Sequence, residues 1–130
     1  MVIPDGITSI GYSAFAGCDG LKSIVIPDSV TSIGWGAFSG CSGLTGITIP
    51  DSVTSIEYSA FKNCEKVTSI TIGSGVKSIG DGAFSYCIRI KEIHYNGTKD
   101  EWLAIEKGDD WDYGITGSYT IYCTDGNILK

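Results

Sequence analysis

The apolar positions of this chain recur at a fixed step. Isoleucine stands at Ile3, Ile26, Ile49 and Ile72 and again at Ile10, Ile33, Ile56 and Ile79, and phenylalanine at Phe15, Phe38, Phe61 and Phe84, so each series advances by 23 residues. Ala14, Ala37, Ala60 and Ala83 keep this step, as do Cys18, Cys41, Cys64 and Cys87. Leu21, Leu44, Val67 and Ile90, and then Ile24, Ile47, Ile70 and Ile93, complete the set. A period in this range predicts a solenoid, because one such unit cannot bury its apolar face alone and is completed by its neighbours.

Inside one unit, Ile47 and Ile49 of "LTGITIP" alternate with polar residues, which predicts a strand with one buried face. Pro50 ends it, having no N–H for the ladder, and Asp51 is expected to bond its own backbone two residues on, in a turn. "VTSIG" reads as a second short strand with Val53 and Ile56 inward, and "AFSGC" as a helical turn burying Ala37, Phe38 and Cys41. Four units result, at about 3–25, 26–48, 49–71 and 72–95. In the fourth, Gly73-Ser74 replaces Pro-Asp, and a looser register is expected there.

Residues 96–130 depart from the pattern and read as an α/β cap over the last unit. Thr98 and Glu101 have capping-box spacing ahead of Trp102 and Ile105, predicting a helix over about 99–107 that Gly108 stops. "SYTIYCT" alternates, with Tyr119, Ile121 and Cys123 on one face, and predicts a strand before an Asp125-Gly126 turn. Trp102 and Trp111 are expected to pack on the last unit. At the other end "VIPDGITSI" matches "VIPDSVTSI" at 25–33. The chain therefore reads as opening inside a repeat, with further repeats and a targeting segment expected upstream and self-association through the uncovered first coil.

The pattern Leu-x-x-Ile-x-Ile-Pro-Asp-x-Val-x-x-Ile-x-x-x-Ala-Phe-x-x-Cys, running from residue 3 to about 95, resembles the BspA-like class of leucine-rich repeats. The tail from "YNGTKDEWLAI" to "SYTIYCTDG" is similar to the segment that often follows the last repeat in that class. The resemblance implies a right-handed leucine-rich repeat solenoid with a parallel β-sheet, short second strands and helical turns. It further implies a bacterial cell-surface or secreted protein, a role in adhesion or recognition, and no enzyme activity.

Charge narrows the partners. The formal net charge is -6, which supplies no basic footprint for nucleic acid or anionic lipid. Residues 94–130 carry seven acidic and three basic side chains against eight and six in residues 1–93, so the tail is the more acidic part. No apolar run is long enough for insertion into a membrane.

Little points to catalysis. His94 is the only histidine, and no nucleophile–base–acid spacing is present. No catalytic residue, metal ligand or cofactor is assigned. Cysteines one per coil read as buried free thiols, since zinc needs pairs that converge; Cys123 is the one placed to approach Cys87. Asp5, Asp28 and Asp51 form an acidic column read as turn-makers.

Two surface columns are candidates for binding a host matrix protein or another bacterial surface protein. The first is the outward side of the longer strands: Ser23, Val25, Gly46, Thr48, Ser69, Thr71, Glu92 and His94. It is small and polar, with no aromatic anchor expected. The second is the aromatic series Tyr12, Trp35 and Tyr58, followed by Asp81, suited to protein or sugar rings. A passive spacer that projects other domains is the remaining expectation.

Overall fold

The computed structural model describes residues 1–130 and shows the expected solenoid. Two parallel ladders run its length. Short strands β1 (Ser9–Ile10), β2 (Ser32–Ile33), β4 (Ser55–Ile56) and β6 (Ser78–Ile79) stack in one sheet, joined at its end by β8 (Glu106–Lys107). Longer strands β3 (Gly46–Ile49), β5 (Ser69–Ile72), β7 (Glu92–Tyr95) and β9 (Thr120–Cys123) form the other, and β10 (Gly126–Leu129) closes it antiparallel to β9. Every repeat-to-repeat pair in both ladders keeps the 23-residue offset, for example Ile47↔Ile70 and Ile56↔Ile79.

The corner read as a helical turn is instead a run of tight turns in which every second amide reaches back three residues, as Ala37 to Gly34, Ser39 to Gly36 and Cys41 to Phe38. Two residues per coil take left-handed backbone, one at Ser13, Gly36, Ser59 and Gly82 and the other at Gly17, Gly40, Asn63 and Tyr86. These break the helical path and free alternate amides for the next coil. The Phe38 amide donates to the Ala60 carbonyl at 2.7 Å, and that of Phe61 to Ala83 at 2.8 Å.

The core is a set of stacked like side chains. Phe15, Phe38, Phe61 and Phe84 lie 5.1–5.3 Å apart with ring planes within 4° of parallel. Beside them each thiol donates to the carbonyl of a Phe in the preceding coil: Cys41 to Phe15, Cys64 to Phe38 and Cys87 to Phe61, at 3.1–3.3 Å. Cys18 is exposed.

The register does not loosen at the fourth repeat. Gly73 and Gly75 are there because a Cβ on either would lie 2.5 Å or less from the backbone of Pro50 and Asp51. Asp51 does not close its own turn as expected; its Oδ1 accepts from the Ser74 amide one coil on, at 2.8 Å. The irregularity lies at the other end. Val25 pairs only with Val2, and β3 is the edge of its sheet, so the longer ladder is interrupted between the first and second coils. Ala14 and Cys18 are exposed there, and Phe15 and Leu21 only half-buried.

The tail continues both ladders at one new offset. Glu106 pairs with Ser78, Lys107 with Ile79, Thr120 with Glu92 and Ile121 with Ile93, all 28 residues apart. The same shift relates left-handed Gly82 to left-handed Asp110, and Tyr86 to Gly114, while the Gly82 amide donates to the Asp109 carbonyl and that of Tyr86 to Tyr113. Residues 96–123 thus trace a fifth coil. Its additional residues form helix α1 (Lys99–Ala104) between β7 and β8, closed by the Thr98–Glu101 capping box at 2.9 and 3.1 Å. The helix is shorter than the expected 99–107, because the free edge of β6 draws Glu106 and Lys107 into the ladder. Gly108 does not stop a helix; it lets the chain pass against Asp81, where a Cβ would lie 2.0 Å from Oδ1. Trp102, Ile105, Trp111 and Tyr119 are buried, whereas Leu103 is exposed. No helix is long and apolar enough to cross a membrane.

Candidate functional site

On the longer sheet, strand pairing aligns the outward side chains in two files: Gly46, Ser69, Glu92 and Thr120, and Thr48, Thr71, His94 and Tyr122. Ser23 and Val25 lie beyond the interruption, outside this ladder. The face is polar as expected along Gly46–Thr71 but does carry an aromatic ring at its far end. Tyr122 stacks on His94 at 4.9 Å and 13°, and His94 Nε2 lies 3.0 Å from Glu92 Oε1. No other pair of side chains lies at salt-bridge distance, and this one is ionic only when the imidazole carries a proton.

The corner side of the solenoid is more structured. Tyr12, Trp35 and Tyr58 follow directly after the short strands, so the ladder places one ring per coil, with centroids 6.4 and 5.3 Å apart. Unlike the parallel phenylalanines, these rings are tilted by 35° and stay open to solvent; Trp35 is 55% exposed. Small left-handed neighbours, Ser13, Gly36 and Ser59, leave a shallow groove of about 270 Å³ beside them. At Tyr58 and Ser59 it runs into a second hollow, of about 310 Å³, walled by Lys62, Asp81, Tyr86, Asp109, Asp110 and Tyr113.

Tyr86 and Tyr113 were not among the residues singled out by periodicity. Tyr86 holds φ 59°, an uncommon conformation for a bulky side chain, at a place filled by Gly17, Gly40 and Asn63 in the earlier coils. That break in a Gly/Gly/Asn series was the available signal. Tyr113 belongs to the fifth coil and was hidden by the change of offset. The two rings meet edge to face at 5.6 Å and 84°, and Gly114 makes room for them, since a Cβ there would touch Tyr86 Cδ1 at 2.8 Å. Lys62 Nζ stands 6.0 Å above the Tyr86 ring. Tyr12, Trp35, Tyr58, Tyr86 and Tyr113 thus put five exposed aromatic rings along one trough.

The remaining sequence candidates fall elsewhere. All five cysteines are free. Cys123 does not approach Cys87; it lies at the end of β9, where burial and then Asp125 raise its pKa and Lys99 lowers it. Burial pushes the Cys41 thiol up to about 11, and the Cys87 thiol beside it, then burial, raises Cys64. No group of three or more His, Cys, Asp or Glu side chains is arranged to hold a metal ion. At the N-terminal end an apolar hollow of about 240 Å³ is lined by Ile3, Ile7, Ile10 and Phe15 among others.

Comparison with known proteins extends this picture. Among solved structures, a leucine-rich repeat protein from Bacteroides ovatus is 24% identical with a TM-score of 0.71, over 90% of this chain and 35% of that one. The T. pallidum leucine rich repeat protein is 28% identical with a TM-score of 0.75, over 85% and 52%. A leucine rich cell surface protein from Faecalibacterium prausnitzii is 36% identical with a TM-score of 0.64, over 82% and 34%. The chain thus spans about a third to a half of the length of these proteins. No curated protein matches it. The family model described as "BspA type Leucine rich repeat region (6 copies)" matches residues 1–102. With that match over most of its length and a two-ladder solenoid of the same fold, the chain belongs to the BspA type leucine-rich repeat family.

Proposed function

We propose that this chain is a non-catalytic recognition module that binds a protein partner through the aromatic trough, as part of a bacterial cell-surface or secreted protein used in adhesion. The observation that carries the reading is the row of five exposed rings, Tyr12, Trp35, Tyr58, Tyr86 and Tyr113, on a rigid ladder. Binding energy at protein interfaces concentrates on aromatic and Arg anchors, and the trough offers several where the strand face offers Tyr122 alone. Leucine-rich repeat domains in general mediate protein interactions, and the F. prausnitzii relative is a cell surface protein. The strand face from Gly46 to His94 ranks second as a docking surface.

Sugar stacking is the second reading, favoured by the exposure of Trp35. The test is binding of the immobilised domain to a panel of purified matrix proteins, bacterial surface proteins and glycans. Wild type runs beside Trp35→Ala/Tyr58→Ala and Thr48→Arg/Thr71→Arg. Saturable protein binding lost only in the first variant is the expected result. Loss only in the second moves recognition to the strand face, glycan binding alone supports the sugar reading, and silence with the fold intact supports a spacer. Self-association through the hollow around Ile3 and Ile10 is a separate proposal; a strictly monomeric mass by light scattering at high concentration rejects it.

A further inference from the structure

We infer, taking the protein-binding reading of the trough as the starting point, that its occupant is an extended basic segment of the partner whose Lys or Arg side chains enter the hollow around Tyr86. Four observations lead there. The rings are not a flat platform: the column is tilted by 35° and Tyr86 meets Tyr113 at 84°. Rings set at an angle turn their π faces in different directions along the trough, which suits cationic side chains spaced along it better than the broad face of one sugar. The chain's own Lys62 stands above the Tyr86 ring, so the site already accommodates one ammonium group.

The charges agree. Asp81, Asp109 and Asp110 wall the same hollow, are exposed, and make no ion pair within the protein. Against them stands Lys62 alone, so the hollow presents a negative surface next to the aromatic column. One coil advances the column by 5.3–6.4 Å between ring centroids. In an extended peptide, side chains on one face recur every second residue, at about 6.6 Å. A basic residue at alternate positions would therefore keep step with the rings, which a continuous run of charge is not needed to do.

The test uses a fluorescein-labelled peptide of alternating Arg and Ser, with an alternating Glu and Ser peptide and a soluble neutral β-glucan as the other probes, followed by anisotropy. The Arg peptide is expected to bind saturably and the other two not. Asp109→Asn/Asp110→Asn should weaken it about tenfold, and Trp35→Ala by a similar factor. Asp5→Asn/Asp28→Asn removes the same charge far from the hollow and should change nothing. Equal loss in that distant pair would mean diffuse attraction to an acidic protein and would overturn the inference, as would preference for the glucan. No Arg-peptide binding, with a panel protein still held in a Trp35-dependent way, overturns the inference and leaves the protein-binding reading standing. Failure of both assays removes both.

Discussion

Trp111 meets Phe84 edge-on, with 6.3 Å between ring centroids and 85° between planes, and so ends a ladder whose other members are parallel. A parallel ring leaves one face open for another coil, whereas a perpendicular one offers its edge. Trp111 also packs against Trp102, which in turn meets Tyr95, so three rings close the last cross-section. Replacing Trp111 by Ala is expected to cost about 3 kcal/mol, and Phe61→Ala in mid-ladder about 4 kcal/mol. Phe15→Ala, at the half-buried first step, should cost about 2 kcal/mol. Urea midpoints checked by circular dichroism measure all three; a Phe15 cost equal to that of Phe61 would contradict the ladder account.

The thiol column predicts an alkaline limit to stability. Burial raises the Cys41 thiol from 9.0 to about 11, and Cys64 is raised as well. Between those values the unfolded chain releases a proton that the folded one keeps. The unfolded state then binds fewer protons, so stability falls as pH rises. It should be level below about pH 9 and decline towards pH 11, with a shallower decline in Cys41→Ala. Iodoacetamide should label exposed Cys18 in the native protein and reach Cys41, Cys64 and Cys87 only on unfolding. Equal labelling of Cys18 and Cys64 in native buffer would refute the packing described.

The period was legible because stacking requires like residues at like places, and Ile, Phe and Cys are written into it. What is spent on contacts between coils is less visible. Asp51 looks like a residue serving its own turn, and only the next coil shows that Ser74 uses it. The fifth coil was hidden for a related reason: Trp111, Tyr119 and Ile121 fill a cross-section with different shapes, and the helix shifts their offset from 23 to 28. Of the trough, Tyr12, Trp35 and Tyr58 followed from periodicity; Tyr86 and Tyr113 emerge only in the folded chain, one because it breaks a Gly/Gly/Asn series and the other because it lies past the shift.

Gly75 offers a sharp test of that reading. A Cβ there would lie 1.9 Å from the Asp51 carbonyl oxygen and 3.2 Å from that of Val53. Backbone cannot yield without opening the corner, so Gly75→Ala is expected to destabilise by about 2 kcal/mol. Gly20→Ala, with nothing within 4 Å, should cost under about 0.5 kcal/mol. Thermal melts of the two proteins separate the cases, and a neutral Gly75→Ala would mean that the corner is looser than described.

The interrupted ladder between Val25 and β3 should show in hydrogen exchange. Amides of residues 1–25 are expected to exchange well ahead of those in β5 and β7, which are paired on both sides. Mass spectrometry of peptic fragments resolves these segments, and uniform protection would argue against local opening of the first coil.

Helix α1 sits between strands that keep their neighbours in step on either side of it. The solenoid therefore tolerates variable length at this corner while holding its pitch, as a spiral stair keeps its rise when one landing is widened. Lengthening a loop adds little closure entropy, so the corner is where such an array can take up new sequence without rewriting the steps above or below. Diversity and regularity are then separate properties of one chain, the first written in its corners and the second in its ladders.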